Sequence, residues 1–385
     1  MAHAPVYLDY HATTPVDPRV LREMLPFFSD AFGNPASSSH AWGWKAQEAV
    51  EKARREVAGL IGASAREVVF TSGATESNNF AIRGVAEIAP DGRRHLVVSV
   101  IEHKSVLEAA KRLERDGWRV TRVPVHADGR LDVFALQAAL TPDTALVSVM
   151  AANNEVGVIQ PIAEIAVLAH GAGALLHVDA AQAVGKIPVD VDASGVDLLS
   201  LTAHKMYGPK GCGALYIRKR TELAPLICGG GQERGLRSGT LNVPGIVGLG
   251  VACAIGRVDM ADESARLARL RDRLLAGLQA RIDGVSVNGS IAHRLPHNLH
   301  VNFDGVDGSE LLIGIGDIAV STGSACSSAS ATPSHVLRAM CGDDAAMRAS
   351  IRFGLGRFTT EDDIDYAIEK FAAVVTHLRG KALAS

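Results

Sequence analysis

The sequence predicts an α/β protein: a mainly parallel sheet with helices on both sides, followed by a smaller α+β unit. Three observations carry this. Residues from about 46 to 250 alternate helical and strand-like segments, the βαβα rhythm of parallel sheets. The strand-like segments are continuous apolar runs, as strands buried on both faces must be. After about residue 257 that rhythm breaks, and long amphipathic helices flank short strands.

Taken in order, QEAVEKARREVAGLIG places apolar residues at helical spacing with polar residues opposite. REVVF is a short β-branched strand. HLVVSV, TALVSVM, ALLHVDA and DLLSLTA are apolar runs bounded by polar residues or glycine, and helix-like stretches such as IAEIAVLAHGAG lie between them. In the second unit the helix ESARLARLRDRLLAGLQARI leads into strand-like VSVNG and NLHVNF, then SIRFGLG and a final helix, EDDIDYAIEKFAAVVTHL. The domains expected are residues 16–257 as the large one, and 1–15 with 258–385 as the small one, with the opening segment packing against the small domain or crossing near the active site.

Composition narrows the function classes. A chain of 385 residues with 47% hydrophobic residues supports two domains. A formal net charge of −3 argues against a broad basic face for nucleic acid. The start, MAHAPVYLDYHATTP, has no charged-then-apolar pattern of a signal peptide. Apolar stretches such as PGIVGLGVACAIG fall short of the roughly 20 residues that span a bilayer. Five scattered cysteines form neither a disulfide framework nor CxxC metal pairs, so a reducing cytoplasm and no membrane are expected.

Three strand ends carry the chemistry. TSGATESNNFAI ends a strand at Phe70 and opens a helix, leaving N–H groups of Ala74 and Thr75 for an anion; an ordinary capping turn reads the same way. ALLHVDAAQAVG ends a buried strand in Asp179, with Gln182 three residues on. That acid either caps the next helix or awaits a cation. DLLSLTAHKMYGPKG places Lys205 on a loop at the sheet's edge, where a lone lysine is usually solvated. Together they supply a phosphate cradle, an acid for a pyridinium nitrogen and an amine for an aldehyde, the set that pyridoxal phosphate (PLP) needs.

Other residues stand out singly. Cys326, in STGSACSSASATPSH, is surrounded by small residues that cannot bury it; it is either an accessible thiol or incidental. The other four cysteines sit in Gly-rich or apolar contexts and read as structural. Arg352, in SIRFGLGRF, suits a carboxylate or a surface salt bridge. His103, in VIEHKSVLEAA, suits a helix cap or a ring stacked on a cofactor.

The segments YLDYHATTPVD, FGNPASSSH, VVFTSGATESNN, EHKSVLEA, ANNEVGVIQPI, HVDAAQAVGK, TAHKMYGPKGCGALYIR, GGGQERGLRSGTLNV, STGSACSSA and SIRFGLGRFTT, in this order, resemble the NifS/IscS-like cysteine desulfurases of the class V aminotransferases. The resemblance runs over nearly the whole chain. It implies the aspartate aminotransferase fold (fold type I): a large domain with a mainly parallel seven-stranded sheet plus a smaller α+β domain carrying the Cys326 loop. It implies a homodimer, L-cysteine as substrate, and alanine and enzyme-bound sulfur as products. Lys205 would carry PLP as a Schiff base, Asp179 would pair with the ring nitrogen, and Gln182 and Asn154 would contact the ring hydroxyl side. His103 would stack on the ring and move protons. Ala74, Thr75, Thr202 and His204 would hold the phosphate, with Thr240 of RSGT from the partner. Asn34 and Arg352 would bind the substrate carboxylate, and Cys326 would take the sulfur. No metal site is expected, with Cys326 a candidate transient iron–sulfur ligand. The acceptor would be a protein serving iron–sulfur, tRNA-thiolation or DNA-phosphorothioation chemistry, without direct nucleic-acid contact. A selenocysteine lyase and a non-catalytic partner subunit are the rival functions.

The chain departs from the family pattern at His11, where many members have Asn, and at Ala151-Ala152, where many read His-Val. It also ends at Ser385, soon after its last helix, so a further acceptor-binding tail is not expected.

Overall fold

The computed structural model describes residues 5–322, 334–342 and 349–384; Cys326 lies outside them. Twelve strands are present among the described residues: β1 (Val6–Tyr7), β2 (Val68–Thr71), β3 (His95–Ser99), β4 (Arg119–Val123), β5 (Thr144–Met150), β6 (Leu175–Asp179), β7 (Leu198–Thr202), β8 (Gly213–Ile217), β9 (Val285–Val287), β10 (Asn298–Phe303), β11 (Ile318–Ala319) and β12 (Ser350–Gly354). Seven form the main sheet in the order β2-β8-β7-β6-β5-β3-β4. β8 alone runs antiparallel to its neighbours, because GALYI returns directly from β7 through the Lys205 turn.

Alternation along the buried strands divides the core into two layers. Leu96 and Val98 of β3 pack with Phe80 and Val106 on one face. Val97 faces the other layer, with Val50 and Val57 of the helix Ala41–Ile61 and with Ile246 and Leu249. Each fully buried aliphatic side chain of this kind contributes roughly 1.5–3 kcal/mol.

The second unit has its own core. β12, β10 and β9 form an antiparallel sheet, whose Leu299, Val301 and Phe303 pack on Leu270, Leu274 and Phe371. β1 pairs in parallel with β11, so the N-terminal segment belongs to this unit before it crosses to Lys205. One helix, Val243–Arg281, joins the two cores over 39 residues. The sequence pattern marks only its second half as amphipathic. Its first half, PGIVGLGVACAIG, is apolar all round because it is enclosed by the large unit, with Val243, Leu249 and Cys253 buried. Asn242 caps its start by accepting from the Gly245 N–H. Long and apolar as it is, more than half of its apolar window is buried in the protein.

Candidate active site

The carboxyl ends of β2, β6 and β7 meet around Lys205. The turn after β2 leads into the helix Ala74–Ile88, whose N-cap is Gly73 with φ 148°, a backbone state that disfavours a side chain. A Cβ on Gly73 would lie 3.5 Å from Thr202 Oγ1, an ordinary contact, so the backbone conformation and not crowding calls for glycine here. A Cβ on Gly213 would come within 2.6 Å of the Gly73 Cα, so β8 also needs glycine here. No side chain caps the helix. The N–H groups of Ala74 and Thr75 have no acceptor among the described residues. An uncapped helix N-terminus facing the Thr202 hydroxyl is a seat for an anion.

Asp179 ends β6 and is buried. Its Oδ2 accepts from Asn78 Nδ2 at 2.7 Å and its Oδ1 from the Ala181 N–H at 3.0 Å. No cation pairs with it among the described residues. A buried carboxylate left so costs several kcal/mol, and a protonated ring nitrogen would relieve that. Asn78 Nδ2 also donates to Ser105 Oγ at 2.8 Å. Ser105 Oγ lies 2.8 Å from His103 Nδ1, which also accepts from the Ser105 N–H at 3.1 Å. The relay therefore ties Asp179 to His103 and leaves the His103 proton on Nε2. Burial holds His103 below the usual imidazole range.

Lys205 sits in a single 3₁₀ turn, Ala203–Lys205, immediately after β7. Its Nζ donates to the Ala12 carbonyl at 2.7 Å and to the His11 carbonyl. Two residues on, Tyr207 takes a left-handed φ of 64°, a strain that its surroundings impose. Its N–H donates to Thr14 Oγ1 at 2.9 Å, its hydroxyl accepts from the Arg357 N–H at 2.6 Å, and its ring lies between Lys186 and Arg357. His204 Nδ1 bonds Thr13 Oγ1 at 3.1 Å, and burial pushes its pKa down to about 4.

An anion seat, a lysine amine and an unpaired buried carboxylate thus converge, and they fit the phosphate, aldehyde and pyridine nitrogen of PLP. Arg352 is buried in β12; its Nη1 donates to the Asn154 carbonyl at 2.9 Å and its Nη2 to Asp9 Oδ1 at 2.7 Å. Arg352 Nε is buried and has no partner among the described residues. Gln182 is spent locally: its Nε2 donates to the His11 carbonyl at 3.1 Å and its Oε1 pairs with His11 Nδ1 at 3.0 Å. Asn34 and Thr240 stand apart. Asn34 is exposed, its Oδ1 accepts from the Ala36 N–H, and it lines a different cleft with Arg54 and Gly230–Arg234. Thr240 is exposed on the loop after Arg237. Of the four other cysteines, Cys212 and Cys253 are buried, but Cys228 and Cys341 are exposed, contrary to the reading of all four as structural; both lie at the surface ends of their segments.

Sequence reasoning missed Asn78, Asp9, His11 and Glu102 as parts of this site. Asn78 is within the TSGATESNN motif, and its side chain could have been placed one helical turn behind the anion seat. Glu102 lies under His103, wholly buried. Ser99 Oγ–H and the Met150 N–H both donate to its Oε1 at 2.7 and 2.8 Å, and its Oε2 is unpartnered among the described residues. Burial, and then the charge of Asp179, push the Glu102 carboxyl up to about 8 against those two bonds. A carboxyl whose folded pKa is raised stabilises the fold fully below its ordinary value of 4.5, and that contribution is lost as pH rises through about 8. Glu102→Gln should therefore flatten the fall in Tm between about pH 5 and about pH 9. Melting curves that stay parallel to the wild type across that range would refute the assignment.

The aminotransferase class-V family matches residues 6–367. The chain belongs to the class V aminotransferase family and, within it, to the NifS/IscS-like cysteine desulfurase group. It is 57% identical over 377 residues to "Cysteine desulfurase IscS" of Anaeromyxobacter sp. (strain K), covering 97% of this chain and 93% of that protein. Among solved structures it is similar to a "NifS-like protein" with TM-score 0.91 and 41% identity, covering 97% of this chain and 100% of the other. It is also similar to the structure titled "SspA in complex with cysteine", with TM-score 0.81 and 39% identity, covering 92% of this chain and 100% of that one. The seven-stranded sheet with its added small unit is the fold type I architecture of this family.

Proposed function

We propose that the chain is a PLP-dependent cysteine desulfurase that converts L-cysteine to L-alanine and holds the sulfur on Cys326 as a persulfide. The observation that carries the reading is the convergence of Lys205, the unpaired buried Asp179 and the uncapped helix at Ala74. The curated relatives named cysteine desulfurase, similar over nearly the full chain, support the substrate.

Ala74, Thr75, Thr202 and His204 would hold the phosphate, Asp179 the ring nitrogen, and Lys205 the aldehyde carbon. PLP supplies an electron sink for the pair left at the substrate Cα when its proton departs. Asp179 keeps the ring nitrogen protonated, because a carboxylate without another cation gains most from that proton. Lys205 takes the Cα proton, and His103, with its Nε2 proton facing away from Ser105, donates or accepts near the ring. Asn154 and Gln182 border the ring hydroxyl side. Arg352, steadied by Asp9 and the Asn154 carbonyl, binds the substrate carboxylate; Asn34, which lines a different cleft of the same chain, is given this task by resemblance alone. The Cys326 thiolate forms an S–S bond to the substrate sulfur as the Cβ–S bond breaks. The bonding pair stays on carbon, which takes a proton and leaves as alanine.

The test is to incubate the PLP-loaded protein with L-cysteine and measure alanine against bound and released sulfur, expected in equal amounts. Arg352→Ala should raise the cysteine concentration needed by roughly ten- to a hundredfold, because a charged hydrogen bond of about 1.5–3 kcal/mol is lost. No alanine from the wild type, or an unchanged KM in the variant, would count against the reading.

A homodimer belongs to the same reading. Leu25, Phe28, Phe32, Trp42 and Trp44, from the segments on either side of Asn34, are exposed, apolar surface suited to a second copy. The loop bearing Thr240 is anchored from below. Glu233 pairs with Arg54 at 2.7 Å, and Arg237 pairs with Glu76 at 2.8 Å. Thr240 is exposed on that loop, as a residue that reaches a partner's phosphate seat would be. Thr240→Ala should weaken PLP retention on dialysis, whereas a fully active monomer that retains PLP would contradict the assignment. Nothing in this reading calls for nucleic acid or a membrane; the enzyme would work in the cytoplasm and hand its sulfur to an acceptor protein.

A further inference from the structure

We propose that His11 is a positioning residue of this active site. A neutral, Nδ1-protonated imidazole there fixes the Gln182 amide, while its carbonyl seats the Lys205 amine. The inference rests on the roles proposed above for Lys205 and Gln182.

Hydrogen-bond polarity fixes the His11 tautomer. At one end, Arg294 Nη1 can only donate, and it meets Asn298 Oδ1 at 2.7 Å. Asn298 must then point its Nδ2 the other way, where it meets His11 Nε2 at 3.0 Å and the Glu155 carbonyl at 3.0 Å. Both Asn298 amide hydrogens are thereby used, and His11 Nε2 must accept. At the other end, the His11 carbonyl can only accept, and it takes Gln182 Nε2. Gln182 Oε1 therefore faces His11 Nδ1, which must donate. The two ends demand the same tautomer independently, and the chain closes without conflict.

The surroundings oppose any second proton. His11 is 1% exposed, and its ring stacks on His297 with centroids 4.4 Å apart. Burial first, and then the cationic Arg352, Lys205 and Lys186 among the described residues, hold it well below the usual imidazole range against the bond to Gln182. The same carbonyl that fixes Gln182 also receives Lys205 Nζ. His11 thus links the lysine, the amide and, through Asn298, β10 of the small unit, and acts through Lys205 and Gln182.

The test uses His11→Ala, His11→Asn, Gln182→Ala and the double alanine variant. Unfolding of the cofactor-free protein reads the pair without PLP: the double variant should lose less Tm than the two single losses summed. Strictly additive losses would overturn the proposal. In the PLP-loaded protein, His11→Ala and Gln182→Ala should shift the pH midpoint of the visible band in the same direction, by roughly half to one unit. The double variant should shift it no further. His11→Asn, whose amide can replace Nδ1–H as donor to Gln182, should restore the wild-type midpoint. A His11→Ala midpoint that coincides with the wild type would overturn the role toward the cofactor. If wild-type protein gains no band on adding PLP while the unfolding cycle still shows coupling, the active-site reading fails and the His11–Gln182 pair stands.

Discussion

Cys326→Ser should keep its PLP and still change colour on meeting cysteine, yet produce essentially no alanine. Loading needs Lys205, Asp179 and the anion seat, none of which involves the thiol. Sulfur transfer needs a nucleophile whose deprotonated form is populated near neutral pH. A thiol of ordinary pKa about 8.5 meets that condition and a serine hydroxyl does not. The fall should be on the order of 10²-fold or more. The measurement is alanine formed per enzyme from L-cysteine, with the visible spectrum recorded on the same sample. Near-normal alanine production with an intact spectrum would remove Cys326 from the mechanism. Loss of the band together with activity would instead assign it a role in holding the cofactor.

Lys205→Ala should lose both the covalent hold on PLP and the Cα proton acceptor. Proton transfer by a positioned side chain contributes about 10²–10⁴-fold, so turnover should fall by at least that much. Borohydride treatment of the wild type should fix the cofactor to one peptide, the one containing Lys205, and the variant should take up no label. The structure supplies the reason for this selectivity. Lys205 follows β7 directly, at the same sheet edge as Asp179 at the end of β6, and its amine is brought to the His11 and Ala12 carbonyls. Lys186 is a useful contrast. It is buried too, and burial lowers its pKa to about 8, but its amine lies over the Tyr207 ring and beside Glu263. Label on Lys186 or any other lysine would refute the assignment.

The strand-end motifs were legible because each is local. In TSGATES, HVDAAQ and TAHK an apolar strand runs straight into the residues that carry the chemistry, so a parallel-sheet reading already aligns Ala74, Asp179 and Lys205 along one edge. The reversed strand β8 was not legible, since GALYI is as apolar as its parallel neighbours and only pairing direction distinguishes it. The unbroken helix Val243–Arg281 was half hidden for a related reason: its first half is enclosed on all sides and has no polar face to mark a period. His11 was noticed only as a departure from a pattern. Its partners Gln182 and Asn298 lie 171 and 287 positions away, and no spacing rule connects them. Asn34 and Thr240 rest on resemblance, because within one chain their surroundings are the exposed face and not the Lys205 site.

The sulfur's resting place is the central claim. Cys212 and Cys253 are poor rivals, buried and with thiols that burial pushes up, Cys212 to about 12. Cys228 and Cys341 are exposed and are the serious ones. The direct measurement is mass-spectrometric mapping of the persulfide on PLP-loaded wild-type protein after brief exposure to L-cysteine. The expected result is one extra sulfur on the peptide containing Cys326, formed in step with alanine. An extra sulfur on Cys228 or Cys341, with Cys326 unmodified, would contradict it.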